Sequence, residues 1–141
     1  MILLDSNVVS GIMRAHLEPV VAAWLQRQQI DQLFIATPCV FEMRHGIEIL
    51  PLGKRRHDLQ AGFDDVVVTL LGNRIVPFDN AAAIEAAKAR AIHKSSGIST
   101  SIVDSQLAGI ALALGVPVAT RDVADFSGLN LLLINPWDPQ P

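Results

Sequence analysis

The chain alternates short, continuously apolar runs with longer stretches in which apolar residues recur every three or four positions. The short runs are Ile2–Leu4, Leu33–Ala36, and residues 74–76, 116–120 and 131–134, which read as buried strands. Between them lie helical segments. Ser6 and Asn7 open one, a second covers about 20–29, and Thr37-Pro38 begins a third that runs to about Leu50. Pro51-Leu52-Gly53 breaks it. A fourth helix passes through the basic run at 54–57 to about Leu70, and Gly72-Asn73 turns the chain into the third strand. Asp79 caps an alanine-rich helix, Asn80–Ser95, ended by Ser96-Gly97. From Ser101, the spacing of Val103, Leu107, Ile110 and Leu114 predicts a last helix, which Gly115 stops. Strands separated by helices imply an α/β fold, a mostly parallel sheet of about four to five strands with helices on both faces.

At 141 residues the chain is the size of one domain, and no repeat, linker or low-complexity segment divides it, so a single domain over 1–141 is expected. Half of the residues are hydrophobic and the mean hydropathy is +0.37, enough to leave apolar surface for self-association. The lone cysteine, Cys39, predicts a buried, inert thiol and fits a cytoplasmic protein. The N-terminus carries Asp5 where a secretory segment needs a longer apolar core, and the apolar stretch 107–119 falls short of the ~20 residues of a membrane span. Net charge −3 argues against broad nucleic-acid affinity but leaves room for a local basic rim. Candidates are residues 54–57, Arg74, Arg121 and the trio Lys88, Arg90 and Lys94, each equally readable as a solvated face.

Against this pattern four acids stand out: Asp5, Glu42, Asp104 and Asp122. Asp5 ends the first strand and Asp122 follows the fourth, where parallel sheets place their ligands. Each acid also has a local explanation. Asp5 can cap a helix, Asp122 can be an exposed turn residue, and Ser101-Ile102-Val103-Asp104 matches a capping box with aspartate in the glutamate position. Glu42 falls at the edge of the apolar stripe of Val40, Met43, Ile47 and Leu50, which predicts a half-buried carboxylate in need of a partner. Asp31, Asp64, Asp65, Asp79, Asp125 and Asp138 read as caps, turns or solvent. If the segments meet, four carboxylates either raise one another's pKa values or take a cation between them, and a hard divalent metal suits such oxygens. The four histidines have no zinc-ligand spacing, no glycine-rich phosphate loop appears, and the chain has no tyrosine with which to build a base-stacking platform.

The chain resembles PIN-domain ribonucleases, specifically the FitB-like branch of the VapC toxins of type II toxin–antitoxin systems. The resemblance runs nearly end to end. It is carried by Met-Ile-Leu-Leu-Asp-Ser-Asn-Val-Val-Ser at 1–10, Phe-Glu-Met-Arg-His-Gly at 41–46, Arg-Ile-Val-Pro-Phe-Asp at 74–79, Asp-Ser-Gln-Leu-Ala at 104–108, Val-Ala-Thr-Arg-Asp at 118–122 and Asn-Pro-Trp at 135–137. Each is a weak signal, and their joint order is specific. The departures are small: Ser6 where threonine is common, Met43 where leucine is, and Gly109 where alanine is.

What the resemblance implies is a PIN-domain fold and a Mg²⁺-dependent endoribonuclease, with Mn²⁺ able to substitute, leaving 5′-phosphate and 3′-hydroxyl ends. It puts the metal ligands on Asp5, Glu42, Asp104 and Asp122, with Asn7 and Thr120 as polar helpers. It also implies a homodimer, a VapB/FitA-like antitoxin whose arginine can pair with the acids, and contact with DNA only through that antitoxin. Two rivals remain. A haloacid-dehalogenase-like phosphohydrolase also places aspartate after its first strand, but needs a second acid where this chain has Asn7. A noncatalytic module could use the acidic groove to bind a basic partner.

Overall fold

The computed structural model describes residues 1–139. Among the described residues, five strands form one sheet: β1 (Ile2–Leu4), β2 (Leu33–Ala36), β3 (Ile75–Val76), β4 (Val118–Ala119) and β5 (Leu133–Ile134). All neighbours are parallel, in the order β3-β2-β1-β4-β5. The described residues also form six α-helices between the strands: α1 (Ser6–Ile12), α2 (Pro19–Gln26), α3 (Thr37–Glu48), α4 (Lys54–Asp65), α5 (Asn80–Ser95) and α6 (Ile102–Leu114). The expected α/β fold with a parallel sheet is what forms, with β3, β4 and β5 each shorter than their apolar runs. The run 66–70 leaves the α-helix for a π-helical turn, Val66–Leu70, instead of prolonging α4.

Two features of the strand order position everything that follows. From β1 the chain steps outward through β2 to β3, then returns across the sheet to β4 on the other side of β1. The order therefore reverses between β1 and β4, and such a switch point leaves a crevice beyond the carboxyl ends of the two strands. The register fixes what faces that crevice. Leu4 pairs with Ala119 on one side and Ile35 on the other, so Asp5, Thr120 and the start of α3 emerge at one level.

The strands are apolar on both faces because both are covered: Leu3, Leu4, Leu33, Ile35, Val118 and Ala119 are all inaccessible to solvent. On one flank α5 and α6 lie in very close contact. A β-carbon on Gly109 would stand 2.3 Å from the Ala82 carbonyl oxygen and 2.6 Å from Ala86 Cβ, so glycine at 109 is a consequence of that approach. The tail closes over α1 in a similar way. Trp137 packs on Gly11, donates from Nε1 to Glu18 at 3.1 Å, and carries Arg121 over its ring.

Candidate active site

The strand-borne part of the site is a hydrogen-bonded unit. Asp5 is the N-cap of α1, and Oδ1 accepts from the Ser6 amide at 2.7 Å. Its other oxygen, Oδ2, accepts from Thr120 Oγ1 at 2.8 Å and Asn7 Nδ2 at 3.2 Å. The Asn7 amide also reaches Asp122 Oδ2 at 3.0 Å and Thr120 Oγ1 at 3.3 Å, while its own Oδ1 accepts from the Arg121 amide. That last bond fixes the orientation of the side-chain amide. Thr120 Oγ1 in turn accepts from the Asp122 amide at 3.1 Å. Adjacent strand ends thus tie Asp5, Asn7, Thr120 and Asp122 together.

The helix-borne part is looser. Asp104 sits at N3 of α6 in a reciprocal capping box: its amide donates to Ser101 Oγ at 3.1 Å and its carboxylate accepts from the Ser101 amide at 3.3 Å. The aspartate-for-glutamate capping box read from the sequence is therefore present. Glu42, on α3, is exposed, and this corrects the expectation of a half-buried carboxylate. The flank of α3 bearing Phe41, Glu42, His45 and Gly46 is left open to solvent, because among the described residues nothing packs over it. Glu42 instead lines a groove of about 280 Å³ between α1, α3 and α4, whose apolar walls include Met13, Met43, Ile47 and Leu59.

Electrostatics joins the two parts. Burial pushes the Asp5 carboxyl up to about 6; the bonds from Thr120 and Ser6 oppose this, and the charges of Asp104 and Glu42 add to it. Asp104 is also raised, first by burial and then by Glu42 and Asp122, against the lowering by Ser101. A fifth acid belongs with them. Asp125, in the 3₁₀ turn Val123–Phe126, is raised by burial and by Asp104 and Asp122. In the sequence it reads as a turn residue; its spacing of three from Asp122 is the available signal. Cys39, buried beneath this edge, has its thiol pushed up to about 12 by burial and by the nearby Asp5 charge, and is inert as expected.

The donor set is all hard oxygen. Among the described residues no group of three or more histidine, cysteine, aspartate or glutamate side chains is already placed to hold a metal ion. Oxygen donors of this kind match Mg²⁺, which keeps several waters and is held by one or two carboxylates together with substrate phosphate. Zinc, which is held mostly by histidine nitrogen and cysteine sulfur, matches an all-carboxylate set less well.

A parallel α/β sheet with coupled carboxylates at its switch point defines a class of acid-lined hydrolytic and binding folds. Within it, the PIN domain profile matches residues 2–129, and the chain belongs to the PIN-domain family. It is 38% identical over 139 residues to VapC ribonuclease Y4jK of Sinorhizobium fredii, covering 99% of each protein. It is 32% identical over 137 residues to toxin FitB of Neisseria gonorrhoeae, covering 97% of this chain and 99% of that protein. The solved structure of FitAB bound to an IR36 DNA fragment superposes with a TM-score of 0.88 at 32% identity, over 100% of this chain and 99% of that one.

Proposed function

We propose that this chain, as a single domain, is a metal-dependent endoribonuclease and the toxin of a VapBC-type toxin–antitoxin module. The observation that carries the reading is the bonded set Asp5–Asn7–Thr120–Asp122 at the switch point, coupled across the crevice to Asp104 and Glu42. The nearly full-length similarity to a VapC ribonuclease and a FitB toxin supports it.

Asp5 and Asp104 would be the principal ligands of Mg²⁺ or Mn²⁺, with Glu42 and Asp122 completing the site directly or through water. Such an ion supplies a nucleophile at neutral pH and neutralises charge on the phosphoryl group. The rest falls to the chain. Thr120 and Asn7 occupy one oxygen of Asp5 and hold Asp5 and Asp122 in register. With its pKa about 6, Asp5 is ionised at neutral pH. Glu42 has no hydrogen-bond or ion-pair partner among the described residues, and together with Asp122 it is the carboxylate able to orient an attacking water.

The groove beside Glu42 offers an apolar floor to the terminal segment of a VapB/FitA-like antitoxin, whose arginine would pair with the acids in place of the metal. DNA would then be contacted through the antitoxin. Exposed Phe41 and Ile102 flank a second apolar hollow, and a homodimer would cover them. Among the described residues no helix is long and apolar enough to cross a membrane, and a cytoplasmic location fits an RNA substrate. The phosphohydrolase alternative is disfavoured because Asn7, which donates to both neighbouring acids, is an amide and cannot act as the general acid/base that such an enzyme needs.

The test is direct. Protein freed of antitoxin should cleave a structured RNA with Mg²⁺ or Mn²⁺, and both EDTA and Asp5→Asn should abolish cleavage. Cleavage that persists in EDTA would overturn the metal mechanism, and metal-indifferent binding of a basic partner without cleavage would favour the noncatalytic module.

A further inference from the structure

An acid-lined crevice repels the substrate it is supposed to cut. Asp5 and Asp104 are raised first by burial and then by the charges of neighbouring carboxylates, and four carboxylates remain net negative even with one divalent cation among them. A polyanionic strand must therefore be held by cations outside the crevice. The candidate basic residues are sorted by what they touch. Arg74 is spent on the carbonyls of Ile30, Leu33 and Leu70. Arg56 pairs with Glu48 and Lys88 with Glu85, while Arg121 lies over Trp137. Lys54 and Arg55 are exposed at the start of α4. Arg90 and Lys94 differ: they line a cavity of about 330 Å³ with the turn 97–100 and have no carboxylate partner among the described residues.

That cavity is tied to the catalytic acids. Arg90 donates to Ser105 Oγ at 3.1 Å, on the residue next to Asp104, and the same hydroxyl bonds the Ser101 carbonyl of the capping box. One of the five donors of its guanidinium is thereby used to anchor the group, and no other partner among the described residues takes the rest. The floor is His93, buried and held by the Ser127 carbonyl at 2.9 Å. The rim offers the hydroxyl of Ser99, while that of Thr100 donates to His93 Nδ1 at 3.4 Å and helps to hold the ring. At Gly97, whose φ of +72° calls for glycine, nothing lies within 4 Å of where a β-carbon would be, so the mouth stays open.

Resting on the nuclease reading, we propose that this Arg90–Lys94 cavity binds a backbone phosphate of the RNA, flanking the scissile one on the Asp104 side of the crevice. Arg90 and Lys94 are binding residues here and take no part in bond cleavage. The cavity is concave, cation-lined and carries the Ser99 hydroxyl on its rim, which suits a phosphodiester and not a base edge or an apolar side chain.

The experiment measures binding of labelled oligouridylate and of a labelled RNA hairpin to the full chain carrying Asp5→Asn, across a salt series. Adding Arg90→Gln and Lys94→Gln together should weaken binding about tenfold at low salt and make the slope of log K against log salt shallower by about 0.7 for each phosphate no longer neutralised. Arg90→Lys, which keeps the charge, should restore most of the slope. A charge-matched control, Arg27→Gln with Lys88→Gln, removes as much charge from residues that do not line the cavity and should leave the slope unchanged. In the protein with Asp5 intact, the cavity pair should raise KM and spare kcat. Parent-like affinity and slope in the cavity variant, or an equal loss in the control, overturns the proposal. If the parent protein binds neither RNA, the nuclease reading itself fails, and this inference falls with it.

Discussion

The two halves of the acidic site are built on opposite plans. The half at the ends of β1 and β4 is rigid and internally satisfied, with Asp5 buried and accepting three hydrogen bonds, and Asn7 and Thr120 bridging it to Asp122. The half on α3 and α6 has few internal bonds. Asp104 is held only by Ser101, and Glu42 stands exposed, with no partner among the described residues. The difference teaches where precision comes from: strand ends inherit their placement from the sheet register, whereas a helix places a side chain only as well as its own packing allows. The strand half is thus held by its own hydrogen bonds, while the helix half is left freer to respond to what it binds.

The largest expected effect comes from breaking the strand half at its centre. Asp5→Asn keeps one acceptor oxygen but removes the charge, and should take cleavage down to background, a loss of about a thousandfold or more. Stability should move the other way. A carboxyl with a folded pKa of about 6 and an ordinary value of 3.8 binds its proton more tightly when folded. The folded state is thus favoured at low pH, and that advantage is lost as pH rises from 3.8 through 6, with a cost of roughly 3 kcal/mol above that window. Asp104, also raised, adds in the same direction. Metal-free Asp5→Asn should accordingly be more stable than the parent at about pH 8 in urea unfolding, with a flatter pH profile, and Mg²⁺ should stabilise the parent alone. Identical pH profiles for the two proteins would contradict the burial of an ionised Asp5.

Next comes the bridge. Asn7→Asp replaces a donor shared by Asp5 and Asp122 with another negative charge, so the three carboxylates repel where they were tied. We expect about a hundredfold loss of cleavage at saturating Mg²⁺, together with weaker Mg²⁺ affinity by titration calorimetry. An unchanged rate would mean that the strand half owes its geometry to the backbone alone. Against this, Glu42→Gln on the helix half should cost about tenfold in cleavage and leave stability within about 0.5 kcal/mol, since the residue is exposed and unpaired among the described residues. A large stability change at Glu42 would erase the contrast between the halves.

That contrast also marks how far the sequence can be read. Buried strands announce themselves as short apolar runs, so β1 and β2 are legible to the residue, and Asp79 and Ser101 are legible as caps because capping is local chemistry. The apolar runs that hold β3, β4 and β5 overstate those strands, because hydrophobicity reports burial and pairing needs a neighbour over the same span. Glu42 misleads for a related reason. A helical wheel orders residues around α3 but does not say which flank a neighbour covers, and the flank of Phe41 and Glu42 is bare. Asp125 escapes a linear reading because its company is created by the 3₁₀ turn that folds it back toward Asp104 and Asp122. Gly109, a minor departure when only the sequence is in view, marks the close approach of α5 to α6, a fact of tertiary structure written in a single residue.

The smallest expected effect probes the one local device that holds the helix half together. Ser101→Ala removes the hydroxyl that receives the Asp104 amide, a lost N-cap worth about 1 kcal/mol of stability. The chemical consequence follows from which bonds survive. The Ser101 amide still donates to the Asp104 carboxylate, but the backbone that sets this bond is no longer pinned from the other side, so the carboxylate samples more positions. Cleavage should fall only several-fold, and the loss should appear mainly as weaker Mg²⁺ affinity, recovered at high Mg²⁺ concentration. Ser101→Thr, which keeps the hydroxyl, should restore both stability and affinity. A several-fold loss that high Mg²⁺ does not recover would mean that the capping box does not position the acid for the metal, and that the helix half is held by the packing of α6 against α5.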